Sequence, residues 1–267
     1  MQKGAKQMNR VAEMTRKDGN AIITIKNPPV NVLTFQVRDE IRECVAEVQN
    51  DPSVKCVIFT GEGEKAFMAG ADIKSFPDMC GVYGEAYGFA RTVYEVWDMI
   101  EQLEKPTIAA VNGLALGAGL ELALTCDIRI AEEHVKFGLP EITLGLFPGG
   151  GGTQRLQKLA GAALTKEMVF TGKPITAERA LQTGLINEIT PKGGALDKAV
   201  EMGNLIGRYS APIVALAKKA INGGIGVSLR EGISVEAELW QDAFMTEDIK
   251  EGVTAFIEKR EPRFVNK

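Results

Sequence analysis

The sequence of 267 residues predicts an α/β layered core followed by a helical tail. Short apolar, β-branched runs alternate with an amphipathic helical stripe over the first sixty residues. Through the middle, buried strand patterns run repeatedly into glycine-rich turns. From about residue 195 the strand signals stop, and four segments of helical periodicity follow one another.

Taken in order, residues 21–26 (AIITIK) read as a strand that the Pro28-Pro29 pair ends. Val37, Ile41, Val45 and Val48 recur at helical spacing with charged residues between them, and Asp51-Pro52 stops that helix. Residues 54–60 (VKCVIFT) give a second strand, and Thr60-Gly61-Glu62-Gly63 is turn chemistry leading into residues 67–74 (FMAGADIK). A long amphipathic helix fits residues 85–104 and stops at Lys105-Pro106. Residues 107–112 (TIAAVN) are then a buried strand, residues 113–124 pass through small side chains into a helix, and residues 127–131 (DIRIA) return to a strand. A glycine-rich turn at residues 148–152 precedes a helix over 153–159; the tail helices fall at 195–208, 211–222, 228–245 and 247–260. Contact with a neighbouring subunit is the expected use of such a tail.

Hydrophobic residues make up 45% and charged residues 25% of an acidic chain of net charge -4. That balance gives no electrostatic reason to bind nucleic acid or an anionic membrane. No apolar run is long enough to span a bilayer, and residues 1–20 hold no leader-like apolar segment, so a cytoplasmic protein with a frayed first seven residues is expected. Cys44, Cys56, Cys80 and Cys126 form no C-x-x-C pair, which speaks against zinc and for buried thiols in a reducing compartment. His134, the only histidine, sits between charged residues and reads as an exposed loop residue.

Three small-residue segments stand out: residues 69–74 (AGADIK), 112–122 (NGLALGAGLEL) and 140–155 (PEITLGLFPGGGGTQR). Each can be read as a tight turn into a helix. None is a phosphate-binding Walker loop, and Gly117 and Gly119 lack the rest of a dinucleotide fingerprint. Glu121 is harder to account for as structure, because its run is otherwise Ala, Leu, Gly and a terminal Thr. Burying an unpaired carboxylate is costly, so such a residue is paired, neutralised or functional. Glu141 lies in a similar setting. If the two converge on one cavity, desolvation and mutual repulsion raise at least one pKa toward neutrality, providing an acid and a base together.

These segments, in this order, resemble the crotonase superfamily, and within it the enoyl-CoA hydratases. The family's A-G-A-D-I-K matches residues 69–74; its N-G-x-A-L-G-G-G-x-E-L matches 112–122. Its P-E-x-x-L-G-x-x-P-G-x-G-G-T-Q-R matches 140–155, and its A-F-x-E-K-R matches 255–260. The resemblance implies a spiral of ββα units (residues 1–205) with a C-terminal helical trimerisation region (206–267), commonly stacked as hexamers. It implies that Glu121 activates water and Glu141 protonates C2 of an enoyl-CoA, with the Ala71 and Ala118 N–H groups as oxyanion hole. Gly149 then helps to orient the water. Ala69, Ile73 and Lys74 line the CoA site, and Lys259 reaches CoA phosphates of a neighbour. No metal and no cofactor beyond the CoA of the substrate is implied.

Two departures bear on chain length. Ala118 stands where the family has glycine, and residues 27–32 (NPPVNV) replace R-P-x-x-x-N-A-L. An isomerase of this fold usually keeps one catalytic carboxylate, so the pair favours hydration; hydratases of cyclic or dienoyl substrates share it. A non-catalytic or RNA-binding member of the fold is disfavoured by the acidic charge and the lack of a basic, aromatic-interleaved stripe.

Overall fold

The computed structural model describes residues 10–267. The expected frayed start, and the first nine residues of the segment searched for a leader, lie outside the described residues. The chain opens with β1 (Ala12–Lys17) and β2 (Asn20–Ile25), an antiparallel hairpin, followed by α1 (Phe35–Gln49). Two strands and a helix then recur. β3 (Cys56–Gly61) and β4 (Ala66–Ala69) precede α2 (Glu85–Glu101), and β5 (Thr107–Val111) and β6 (Leu114–Leu116) precede α3 (Ala118–Thr125). β7 (Ile128–Glu132) and β8 (Lys136–Gly138) precede a 3-10 turn at Pro140–Leu144 and the helices α4 (Gly152–Ala160) and α5 (Ala162–Thr171). β9 (Ile175–Thr176), α6 (Ala177–Gln182) and β10 (Glu188–Thr190) close the core.

Within each repeat the first strand joins one sheet and the second strand joins the other. The larger sheet runs β1-β2-β3-β5-β7-β10 and the smaller β4-β6-β8-β9. The chain therefore advances one strand per turn in both sheets at once, which is a spiral of ββα units. All pairings from β2 to β10 in the large sheet are parallel, as are β4 with β6 and β6 with β8. Parallel strands covered on both faces read as continuous apolar runs, and β3 and β5 are buried at every position.

The helical stripe in α1 packs as its spacing predicts: Val37, Ile41, Val45 and Val48 are buried in the main core. Thr34 caps this helix, its Oγ1 accepting from the Val37 N–H at 3.1 Å, an interaction typically worth about 1 kcal/mol. Six strands escape the sequence reading: β1, β4, β6, β8, β9 and β10. β1 (AEMTRK) is a charged edge strand buried on one side only, whose entry is held by Glu40 Oε2, accepting from the Val11 and Ala12 N–H groups at 2.7 and 2.8 Å. β8, β9 and β10 are two or three residues long, too short to show a period. Among the thiols, Cys44, Cys56 and Cys126 are buried, but Cys80 is exposed, because it follows a 3-10 turn on the loop before α2. His134 is exposed, near Glu132.

The tail is formed by α7 (Ala195–Ile206), α8 (Ala211–Gly223), α9 (Leu229–Ala243) and α10 (Glu247–Glu258). α7 packs on the large sheet, its Ala195, Ala199 and Val200 meeting Ile58, Ile108 and Ile130. α8 is tied to the core by Lys218, whose Nζ lies 2.8 Å from Asp127 Oδ2 with the lysine side chain 9% exposed. Asp127 Oδ2 also accepts from the Thr107 N–H and hydroxyl. None of the described helices is long and apolar enough to cross a membrane.

Removing one partner of a largely buried ion pair leaves the other charge uncompensated. Lys218→Met is expected to lower stability by about 3 kcal/mol, read by denaturant unfolding. Loss of less than a few tenths of that would show that the pair does not anchor α8.

Candidate active site

The site forms at the carboxyl ends of the three parallel strands of the small sheet. β4 ends at Ala69, β6 at Leu116 and β8 at Gly138, in register with one another. Continuing the register two residues past β4 and β6 brings Ala71 alongside Ala118. A methyl group at Gly117 would lie 3.4 Å from the Gly70 Cα, so the two backbones are in contact at this point. On the other side of Ala71, Leu33 donates its N–H to Gly70 O and accepts from the Asp72 N–H, both at 2.9 Å. Alternation along an extended chain then turns the Ala71 N–H away from Leu33, toward the β6 side. Ala118 is the first residue of α3, where N–H groups have no partner inside the helix. Among the described residues, neither of these two N–H groups has a hydrogen-bond acceptor. Two free donors therefore stand side by side, one of them at the positive end of a helix dipole.

The sharp turn from β6 into α3 requires Gly117, whose φ of 53° and ψ of -122° suit no L side chain. Glu141 explains a second part of that requirement. A methyl at Gly117 would come within 2.8 Å of its Oε1, so the carboxyl lies over the turn that presents the Ala118 N–H. Glu141 is the second residue of the 3-10 turn after β8 and is half-buried, with Oε2 buried and unpartnered among the described residues. Burial pushes its carboxyl up to about 7, with the charge of Glu121 adding to the shift.

Glu121 sits one turn into α3 and is 3% exposed. Its Oε1 accepts from the Gly150 N–H at 2.8 Å and the Gly152 N–H at 3.0 Å. Burial raises its carboxyl above the ordinary range, opposed by these two donors and by the Arg155 guanidinium. A methyl at Gly150 would collide with Oε2, which explains a glycine in the loop at that point. The loop itself is clamped by Arg155, which donates to Gly150 O at 3.3 Å and pairs with Asp98 and Glu101 of α2. Glu121 and Glu141 thus share one site, close enough for the charge of one to shift the other.

The remaining expected residues fall into two groups. Ala69 ends β4, and Ile73 and Lys74 form the exposed 3-10 turn just beyond Ala71, capped by Asp72 Oδ1 on the Lys74 N–H. Gly149 is exposed beside the Glu121 donors, its N–H unpaired among the described residues. Lys259 is set apart, in the exposed left-handed cap of α10, and no described hydrogen bond or ion pair links it to the strand-end residues. Sequence reasoning named Gly149 for holding water and did not find the Gly150 and Gly152 donors to Glu121. It also missed the clamp by Arg155, although that arginine closes the glycine-rich segment. Among the described residues no group of three or more His, Cys, Asp or Glu side chains could hold a metal ion.

A ββα spiral with two carboxyls and two free amide N–H groups at its strand ends is a crotonase-type fold. The profile of the enoyl-CoA hydratase/isomerase family matches residues 15–267, and the chain belongs to that family. It is 41% identical to the short-chain-enoyl-CoA hydratase of Clostridium acetobutylicum over 256 residues, covering 95% of this chain and 97% of that protein. It is 39% identical to the crotonyl-CoA hydratase of Syntrophomonas wolfei, with 95% and 97% covered. The crystal structure of enoyl-CoA hydratase from Bacillus anthracis superposes with a TM-score of 0.90 at 36% identity, covering 96% of this chain and all (100%) of that one.

A carboxyl raised by burial is protonated below its pKa and loses its proton as pH rises through about 7. Infrared difference spectra are expected to show a protonated carboxyl titrating there, absent in Glu141→Gln. In Glu121→Gln the loss of repulsion moves that titration to lower pH. A carboxyl that titrates near the ordinary value of Glu, or one indifferent to Glu121→Gln, contradicts the geometry described.

Proposed function

We propose that the protein is an enoyl-CoA hydratase that adds water across the 2,3 double bond of an enoyl-CoA thioester, or removes it in reverse. The observation that carries this reading is the convergence of two carboxyls, both raised by burial, beside two free amide N–H groups. In the proposed reaction the thioester oxygen accepts from the Ala71 and Ala118 N–H groups. Glu121, ionised, takes a proton from a water that both carboxylates and the Gly149 N–H hold. The oxygen of that water bonds to C3, and the electron pair of the double bond moves toward the thioester oxygen, where the two donors stabilise enolate character. Glu141, protonated, delivers its proton to C2. Proton exchange then restores both carboxyls. Addition is syn, because acid and base lie on one side of the bound substrate.

Both carboxylates having a place in this cycle favours hydration over isomerisation. The short-chain and crotonyl-CoA hydratases among the relatives support a small acyl group. Ala69, Ile73 and Lys74 are placed to line the adenine and phosphate end of CoA, at the exposed edge of the same strand end. The reaction as written needs no metal and no cofactor, CoA being part of the substrate. Residues 1–205 supply this chemistry. Residues 206–267 build a homotrimer, stacked as a hexamer, in which Lys259 reaches the CoA of a neighbour. The apolar surface that Trp240, Phe244, Val253 and Phe256 leave exposed supports that assembly. Three buried thiols and an unpaired exposed one fit a reducing, cytoplasmic compartment.

The test is hydration of crotonyl-CoA, followed as loss of conjugated thioester absorbance without added metal or nucleotide. Glu121→Gln and Glu141→Gln are expected to fold normally and to lose several orders of magnitude in turnover. Full turnover in either variant removes that residue from the mechanism. Ala118→Pro deletes one oxyanion donor at a helix position that tolerates proline. It is expected to lower kcat about 10²–10³-fold while CoA binding persists; unchanged kcat would show that the Ala118 N–H is not used.

A further inference from the structure

One polar group at this site has no part in the chemistry so far, the indole N–H of Trp97. Trp97 belongs to the buried face of α2 and is 0% exposed. Its Nε1 has no hydrogen-bond partner among the described residues. A buried donor with no acceptor is strongly disfavoured, so its surroundings reveal its use. A methyl group at Gly150 would sit 3.2 Å from Trp97 Nε1 and would collide with Glu121 Oε2. The indole N–H and the carboxylate oxygen therefore flank the same glycine. The two oxygens of Glu121 are not equivalent: Oε1 holds both the Gly150 and Gly152 N–H groups, and Oε2 accepts from no described residue.

We propose that Trp97 is a positioning residue for the catalytic base, its N–H donating through a single bridging water to Glu121 Oε2. The proposal rests on the reading of Glu121 as the base. A carboxylate oxygen has two lone-pair sites. One then receives the bridge, and the other stays free for the water that is added to substrate. Without the bridge the carboxylate is fixed at Oε1 alone, and the oxygen that must take the proton is free to swing. A donor on the ionised form also lowers the pH at which Glu121 becomes active.

The titratable and charged groups that face Glu121 are few. Glu141, from the turn after β8, is coupled to it by repulsion, and Arg155, from α4, favours its ionised form. Tyr94, one turn before Trp97 on α2, has a phenol that burial and the Glu121 charge push up. The arginine is already engaged by Asp98 and Glu101. The tyrosine adds no charge in the relevant range. Trp97 is the neutral donor left to hold Oε2.

The test replaces Trp97 with β-(3-benzothienyl)alanine, which keeps the ring shape and puts sulfur where the N–H was, alongside Trp97→Phe. In the assembled enzyme, the acid limb of the kcat profile for crotonyl-CoA is expected to move up by about one pH unit in both variants. Below that limb kcat should fall about tenfold, the rate equivalent of the same shift, with KM unchanged. The sulfur analogue should keep the wild-type melting temperature, whereas Trp97→Phe leaves a cavity and should lose some of it. An unmoved acid limb in the sulfur analogue, with Glu121→Gln inactive, overturns the role of Trp97 alone. Full turnover in Glu121→Gln overturns the base assignment and this proposal with it.

Discussion

A carboxylate as deeply buried as that of Glu121 has to be held by hydrogen bonds, and in this protein the amides of Gly150 and Gly152 hold it. Much of the site follows from that need. The donors must come from a loop whose backbone approaches the carboxylate closely, and side chains on that loop would fill the space. Hence the glycines at 150 and 152, where a side chain would crowd Glu121, and hence the arginine that follows them: Arg155 pins the loop to α2 through Asp98 and Glu101. With Oε1 engaged, the second oxygen accepts from no described residue. The burial that makes Glu121 costly to fold also raises its carboxyl, as the proposed role of base requires.

The same sheet geometry positions the proposed acid and the proposed oxyanion donors. Three parallel strands in register deliver Ala71, Ala118 and Glu141 to one edge, each two or three residues past the end of its strand. Parallel strands leave their carboxyl ends on one side, where loops can converge without interrupting the ladder. In the spiral every turn contributes one such end, so the fold brings together residues from three segments that are far apart in sequence. Glu141 lacks the pair of amide donors that Glu121 has, and burial raises both carboxyls, that of Glu141 to about 7.

Much of this was legible in the sequence, for identifiable reasons. The α1 stripe and the β3 and β5 runs are long and fully periodic or fully apolar, so they announce themselves. Glu121 was legible because a charge in an apolar helix has few bland explanations. The edge strand β1 was hidden by its charges, and β8 to β10 by their brevity. Which amides grip Glu121 was illegible, since four consecutive glycines are alike in sequence and only the bend of the loop separates 149 from 150 and 152. Trp97 was equally invisible: on an amphipathic helix it reads as core, and nothing in its spacing marks an unpartnered N–H. The far placement of Lys259 follows from the tail helices, which no strand pattern could locate.

The central claim is that a thioester oxygen is gripped by two main-chain amides directly beside both carboxyls. A crystal structure with a bound 3-hydroxyacyl-CoA tests it most directly. The account predicts the thioester oxygen about 2.7–3.1 Å from both the Ala71 and Ala118 nitrogens, with the 3-hydroxyl between Glu121 and Glu141. A thioester oxygen bound away from those amides, or a 3-hydroxyl reaching neither carboxyl, would contradict it.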